Sequence, residues 1–477
     1  MHKEGFPLAR GKESLTQFKE GEILTVPVKR IGINGEGIGY DRRQVLFIPG
    51  ALPNELVKVK VTKVERRFAH AELLQVIKPS PERRTPPCPI SAECGGCQLQ
   101  HLSYPAQLKA KEDQVREAFV RYTSLKHPPI RPIIGMEEPW GYRNKGQLQV
   151  GMAKGKVIAG LYAAGSHRLV DLSDCPIQHP KVNEAIRKAK EVITEWRLPI
   201  YDERKNKGLI RTLVARVSFA TGEIQLTLVA TEPRLPHEEE VVEELRRRIP
   251  HLASISLNVN PGKTSLVFGP TTLLLWGKEK MMERLGEVEY RLSPRAFFQL
   301  NPVQTVKLYR VVAEAASLTG SERVIDAYSG VGSIALWLAP DAKEIRGIEE
   351  VPEAVADARE NAKVAGFSHV HFTAGRAEEI MPRWVKEGFR PDVVVVDPPR
   401  TGMGQGMMDA IVRVRPARLV YVSCNPSTLA KNTAYLMEKG YEVKWIQPVD
   451  MFPQTAHVEC VALMSRVKGM TNKNCLK

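Results

Sequence analysis

At 477 residues the chain has room for about three domains by ordinary scaling, and 43% hydrophobic with 26% charged residues is a globular composition, not a disordered one. No apolar run approaches membrane-spanning length, the opening MHKEGFPLARGKES lacks the apolar centre of a signal peptide, and seven unevenly spaced cysteines do not make a disulfide framework. Membrane and secreted classes are thereby excluded and a cytoplasmic protein is expected; the formal charge of +15 suits either a polyanionic partner or a solvated basic surface.

Residues 16–80 are predicted to be all-β. In ELVKVKVT, Val57, Val59 and Val61 alternate with Lys58, Lys60 and Thr62, giving one apolar and one basic face with a period of two. QVLFIPGALPNE is a strand closed by a Pro-Gly turn. Several short strands in so short a span suggest a small OB-like barrel of the kind that binds oligonucleotides, although a basic barrel face is equally what a solvated surface looks like.

Residues 81–290 carry a cysteine cluster and then mixed β and helical segments. YPAQLKAKEDQVREAFVRYT is an amphipathic helix with Leu108, Val115, Ala118, Phe119 and Tyr122 near one face, and EEEVVEELRRRIP is a second helix ended by Pro250. Cys88, Cys94 and Cys97 form C-x5-C-x2-C around Gly95-Gly96, and Cys175 follows far downstream in DCPIQ. Four thiols with one close pair suit tetrahedral zinc or an iron–sulfur cluster, and spacing does not choose between them; His101 is a further candidate ligand. Cys460 is expected in the core, and Cys475 has no assigned role.

Residues 291–470 alternate strands and helices. RVIDAYSG, EIRGIEE, PDVVVVDPPR and RLVYVSCNP are strand-like, and their nearly continuous apolar character marks strands buried on both faces of a parallel sheet. VPEAVADARENAKVAGF is an intervening helix that opens on Pro352 and stops at Gly366. This is a doubly wound α/β domain. In such a sheet ligands sit beyond the carboxyl ends of the strands. There DAYSGVGSIA places Gly330 and Gly332 between a strand and a helix, and Glu349 ends the next strand 19 residues after Gly330. Glycine loop and acid together indicate a nucleoside-bearing cofactor, either a nicotinamide or an adenosylmethionine type. Asp397 ends an apolar strand where a charge needs a partner. Cys424 follows on the same rim, immediately before Asn425-Pro426 stops its strand. A thiol on the rim where cofactors bind is a candidate nucleophile.

DAYSGVGS, DPPR, SCNPSTLA and HVEC, in this order and spacing, resemble the RNA 5-methyluridine (uracil-C5) methyltransferases that use S-adenosylmethionine. CGGCQLQH, SHRLVDLSDCPIQ and AFFQLNP resemble the family's middle segments, so the likeness covers nearly the whole chain, and the first zone resembles a TRAM domain. The resemblance implies a Rossmann-like methyltransferase domain behind a TRAM barrel and a central α+β iron–sulfur domain. It implies Cys424 as nucleophile and Glu459 as base, with Gln299, Tyr328, Glu349 and Asp397 at cofactor-binding positions. It also implies a [4Fe-4S] cluster on Cys88, Cys94, Cys97 and Cys175, as in members acting on 23S ribosomal RNA, and a monomer with RNA as partner. Ser329 stands where many members have cysteine, TLAKN replaces the commoner TLARD, and TGMGQGMM after DPPR is unusual. Transfer RNA is the alternative substrate. An iron–sulfur nicotinamide oxidoreductase would share the glycine loop, Glu349 and the cysteines but would have no use for Cys424 with Glu459.

Overall fold

The computed structural model describes residues 18–467. Thr16 and Gln17 at the start of the expected barrel, residues 468–470 at the end of the expected third domain, and Cys475 lie outside the described residues. The described residues divide into two compact units, one of residues 18–85 with 98–106 and one of residues 86–97 with 107–467.

In the first unit the strands Ile23–Ile31, Gly37–Asp41, Gln44–Ile48, Leu56–Val64 and Phe68–Lys78 close into a barrel. Closure comes from antiparallel pairing of Leu56–Val64 with Ile23–Ile31, while Gln44–Ile48 runs parallel to Phe68–Lys78. The alternation read in ELVKVKVT is realised directly: Val57, Val59 and Val61 are buried with Val26, Leu46 and Ile48, and Lys58 and Lys60 face outward. The barrel was legible because its inside and outside differ at every second residue.

The second unit holds two seven-stranded sheets. The first spans residues 145–277 in the order Thr271–Gly277, Leu252–Val259, Ile224–Ala230, Ile210–Val217, Lys145–Ala153, Lys156–Tyr162, Leu169–Asp171, and the helices Pro180–Glu195 and Glu238–Arg248 pack on it. The second sheet has the order Val370–Ala374, Glu344–Glu349, Arg323–Ala327, Val393–Val396, Arg418–Ser423, Glu459–Arg466, Tyr441–Val449. Val393 to Val396 are each fully buried, as strands covered on both faces must be. Only Glu459–Arg466 runs against the other strands. Strand order reverses between Arg323–Ala327 and Val393–Val396, which opens a crevice at that point of the rim.

The helix Tyr104–Tyr122, expected with the central segment, inserts Val115, Ala118 and Phe119 into the core of this second sheet, beside Val394, Val396 and Tyr421. Its buried stripe continues through Gln107, Lys111 and Gln114, polar positions that an apolar pattern does not mark. Among the described residues no helix is long and apolar enough to cross a membrane.

Candidate active site

The rim of the second sheet collects the predicted residues in a cleft of about 380 Å³ lined by Gln299, Tyr328, Gly330, Glu349 and Asp397. Each position has a local cause. Tyr328 follows the strand Arg323–Ala327 at φ 66, left-handed backbone that a non-glycine residue adopts at a cost of order 1–3 kcal/mol and that concentrates at functional sites. Gly332, at φ 82, starts the next helix, and a Cβ there would stand 2.6 Å from the Phe372 ring, so the turn admits only glycine. Both oxygens of Glu349 accept backbone bonds, from Gly330 N at 3.0 Å and Val351 N at 3.0 Å, which fixes its carboxylate against the glycine loop. The Gln299 carbonyl accepts from Asn144 Nδ2 at 3.2 Å, and Asn301 caps the helix Pro302–Ala316 just beyond it. Phe297 is 66% exposed between buried Ala296 and Phe298 and lines the same cleft.

Cys424 stands directly after Arg418–Ser423 and before the helix Pro426–Glu438, whose cap Asn425 accepts from Ser427 N at 3.0 Å and donates to the Arg400 carbonyl at 3.1 Å. The antiparallel neighbour Glu459–Arg466 pairs Cys460 with Ser423. Glu459 precedes Cys460 and Cys424 follows Ser423, so this antiparallel pairing brings two residues distant in sequence close enough for Glu459 to act on the Cys424 thiol.

This corner is short of positive charge. Burial first, then Glu459 and Asp397, push the Cys424 thiol up to about 11, and Arg400 only partly offsets them. Burial raises Asp397 to about 7, and burial followed by repulsion from Asp397 raises Glu459 well above the ordinary carboxyl range. Cys424 and Glu459 are thus both held towards their protonated forms. The helix start after Cys424 favours a thiolate but is outweighed by desolvation.

The comparisons with known proteins agree with this geometry. Residues 273–467 match the family model described as tRNA (Uracil-5-)-methyltransferase, and residues 17–74 match the TRAM domain. An uncharacterized RNA methyltransferase of Halalkalibacterium halodurans is 53% identical over 449 residues, 94% of this chain and 97% of its own. The chain belongs to the RNA uracil-5-methyltransferase family. A further RNA methyltransferase, from Bacillus cereus, is 52% identical over 95% of this chain and 99% of its own. The crystal structure of Pyrococcus abyssi tRNA (uracil-54, C5)-methyltransferase in complex with S-adenosyl-L-homocysteine superposes with a TM-score of 0.73 at 28% identity, covering 92% of this chain and 100% of that one.

In this methyltransferase Cys88, Cys94 and Cys175 lie close enough to act on one another, and Cys97 shares Tyr142 as a neighbour with Cys175. Burial and then Cys88 raise the Cys94 thiol; burial, Cys94 and Cys88 raise Cys175; and Cys97 and Cys175 both bear on Tyr142. They do not complete a ligating set: among the described residues no group of three or more His, Cys, Asp or Glu is disposed to hold a metal ion. The donors of the expected cluster nevertheless stand in one unit of the chain.

Sequence reasoning passed over Asp326, Arg400 and His457. Asp326, 1% exposed, accepts from Ala335 N at 3.0 Å through one oxygen, while the other has no partner and burial raises the group to about 8. Its signal, an acid inside the apolar strand RVIDA, was the one used for Asp397. Arg400 meets His457 Nδ1 at 3.1 Å, a contact between DPPR and HVEC that nothing local announces.

Proposed function

We propose that this methyltransferase transfers a methyl group from S-adenosyl-L-methionine to carbon 5 of a uridine in 23S ribosomal RNA, through a covalent bond between Cys424 and carbon 6. The observation that carries this reading is the pairing register that sets Glu459 against Cys424 beside a cleft lined by Gln299, Tyr328, Glu349 and Asp397. The cleft fits the cosubstrate: its volume of about 380 Å³ is within the roughly 300–1,000 Å³ of small-molecule sites, and Glu349 on the glycine loop suits ribose hydroxyls.

Bound S-adenosylmethionine supplies an electrophilic methyl group and a positive sulfonium, whose charge favours ionisation of nearby acids. Carbon 5 of uracil is too weak a nucleophile to take that methyl group unaided. The Cys424 thiolate therefore bonds to carbon 6; the C5=C6 π pair becomes a C4=C5 double bond and the carbonyl pair moves onto the exocyclic oxygen of carbon 4 as an enolate. The enolate pair then forms the bond from carbon 5 to the methyl carbon, and the thioether leaves. Ionised Glu459 takes the carbon 5 proton; that C–H pair becomes the ring double bond, and the Cys424 sulfur departs with the pair it had donated. Because burial holds thiol and carboxyl towards their protonated forms, both must be ionised on demand as substrates bind. A stacked uridine is out of reach, so the target is single-stranded or flipped.

Transfer RNA is the second reading, favoured by the likeness to the Pyrococcus abyssi tRNA enzyme. Mapping 5-methyluridine in a strain lacking the gene decides between them: a site lost from 23S ribosomal RNA supports the first reading, and one lost only from transfer RNA overturns it.

The barrel is proposed as the RNA-holding module. Reversing the outward charges with Lys58→Glu and Lys60→Glu is expected to weaken RNA binding and reduce the slope of log affinity against log salt by about 1–2, because each lost phosphate contact releases fewer counterions. Cofactor affinity should be unchanged; a titration in which it collapses while RNA affinity holds would overturn the module's role.

We further propose that the four cysteines take up a [4Fe-4S] cluster. Thiolates crowded in a buried region are disfavoured without a compensating cation, and that supports the reading. Anaerobically purified protein is then brown and contains about four irons per chain; stoichiometric zinc without iron sinks the proposal.

A further inference from the structure

The segment Asp450–Thr455, DMFPQT, joins the strands Tyr441–Val449 and Glu459–Arg466 and so delivers Glu459 to the rim. A connection between neighbouring antiparallel strands is ordinarily held by its own turn. This one is held from outside: by the helix Tyr104–Tyr122, more than 300 positions earlier, and also by Tyr142, Asn301 and Gln304, whose side chains donate to the carbonyls of Pro453, Met451 and Asp450.

Lys111 Nζ donates to Asp450 Oδ1 at 2.6 Å and to the Phe452 carbonyl at 3.1 Å, and the side chains of Lys111 and Asp450 are both 0% exposed. One helical turn earlier, Gln107 makes a reciprocal pair with Gln454: its Nε2 donates to Gln454 Oε1 at 2.9 Å, and its Oε1 accepts from Gln454 N at 3.0 Å. Gln454 is 2% exposed and held at φ 71, a left-handed backbone that relaxes unless its surroundings over-determine it. Thr455 continues the chain of contacts, with its hydroxyl donating to the Phe452 carbonyl at 2.8 Å and accepting from His457 N at 3.3 Å. The next residues are Val458 and Glu459.

We propose that Lys111 and Gln107 are positioning residues for Glu459, locking the strained Asp450–Thr455 segment so that the carboxyl arrives opposite Cys424. A fully buried ion pair is a poor device for stability alone, since well-packed apolar residues of the same volume often do as well or better; what it specifies is geometry. A displacement of about 1 Å in a base costs on the order of a hundredfold in rate, so geometry is what this segment must protect. The hydrogen-bond partners of Lys111 are Asp450 and Phe452, neither of which lines the cleft, and this separates its role from substrate binding. The inference rests on the covalent reading given above, with Glu459 as the base of the elimination step.

The test uses full-length protein turning over RNA with S-adenosylmethionine, quenched in denaturant, with covalent protein–RNA complex and free methylated RNA both counted. Lys111→Met with Asp450→Asn removes the pair without leaving a lone charge, and Gln107→Leu is the gentler variant that decides the matter if the double variant does not fold. A misplaced base slows elimination while sparing addition and methyl transfer, so the covalent fraction should rise about tenfold with a matching fall in kcat, at cofactor affinity within about twofold of wild type. A folded variant with lowered kcat but a wild-type covalent fraction has only structural damage and overturns the inference, as does a variant that turns over normally. Glu459→Gln run alongside separates the two failures: if it forms no complex either, the covalent reading falls and takes the inference with it.

Discussion

Cys424→Ala is expected to give neither methylated RNA nor any covalent complex, whereas Glu459→Gln should accumulate a methylated RNA attached through Cys424. In the proposed mechanism the two neighbouring side chains act at opposite ends of the reaction, so their losses should differ in kind. Without the thiol, carbon 5 is never activated, and turnover falls by a factor on the order of 10³ or more. Without the carboxylate, addition and transfer proceed and only proton removal stalls, which slows turnover by about 10²–10⁴-fold and leaves the adduct as the resting species. A denaturing gel reads the outcome as a slow-migrating, nuclease-sensitive band. Wild-type turnover by Glu459→Gln would remove Glu459 from its role.

The second large effect concerns stability and pH. Burial, with Asp397 and Glu349 adding to it, pushes the Asp326 carboxyl of the folded chain up to about 8, against an ordinary value of 3.8. The folded state therefore binds the proton more tightly than the unfolded state. Its contribution is fully present below pH 4 and is lost as pH rises towards 8, with a total of about 5 kcal/mol from the shift of roughly four units. Asp326→Asn keeps an acceptor for Ala335 N and cannot ionise, so its stability relative to wild type should climb steadily between pH 4 and 8 and then level off. Chemical denaturation at several pH values measures this; parallel curves for the two proteins would show that Asp326 is solvated in the folded state.

Much of the architecture was readable because it is written in local chemistry. Alternation in ELVKVKVT, the all-apolar VVVV, Pro352 and Gly366 around one helix, and the glycines after RVIDA each constrain backbone within a few residues, and the structure realises each of them. Cys424 and Asp397 stood out for the same reason, as polar groups ending strands that otherwise exclude water. The sequence by itself thus determined the barrel, the parallel sheet and the residues gathered on its rim.

Tertiary structure decided the rest. That Glu459 faces Cys424 depends on the direction and register of a strand pairing whose partners share no local signal. That Lys111 and Gln107 are buried depends on Asp450 and Gln454 arriving from the far end of the chain; without those partners the helix Tyr104–Tyr122 would turn both to water. The protonation of Cys424, Asp397 and Glu459 is likewise collective, since desolvation and mutual repulsion exist only once the rim is assembled. Spacing named four cysteines as candidate ligands, but whether sulfurs converge on one point is a question of three-dimensional distance, which spacing along a chain does not carry.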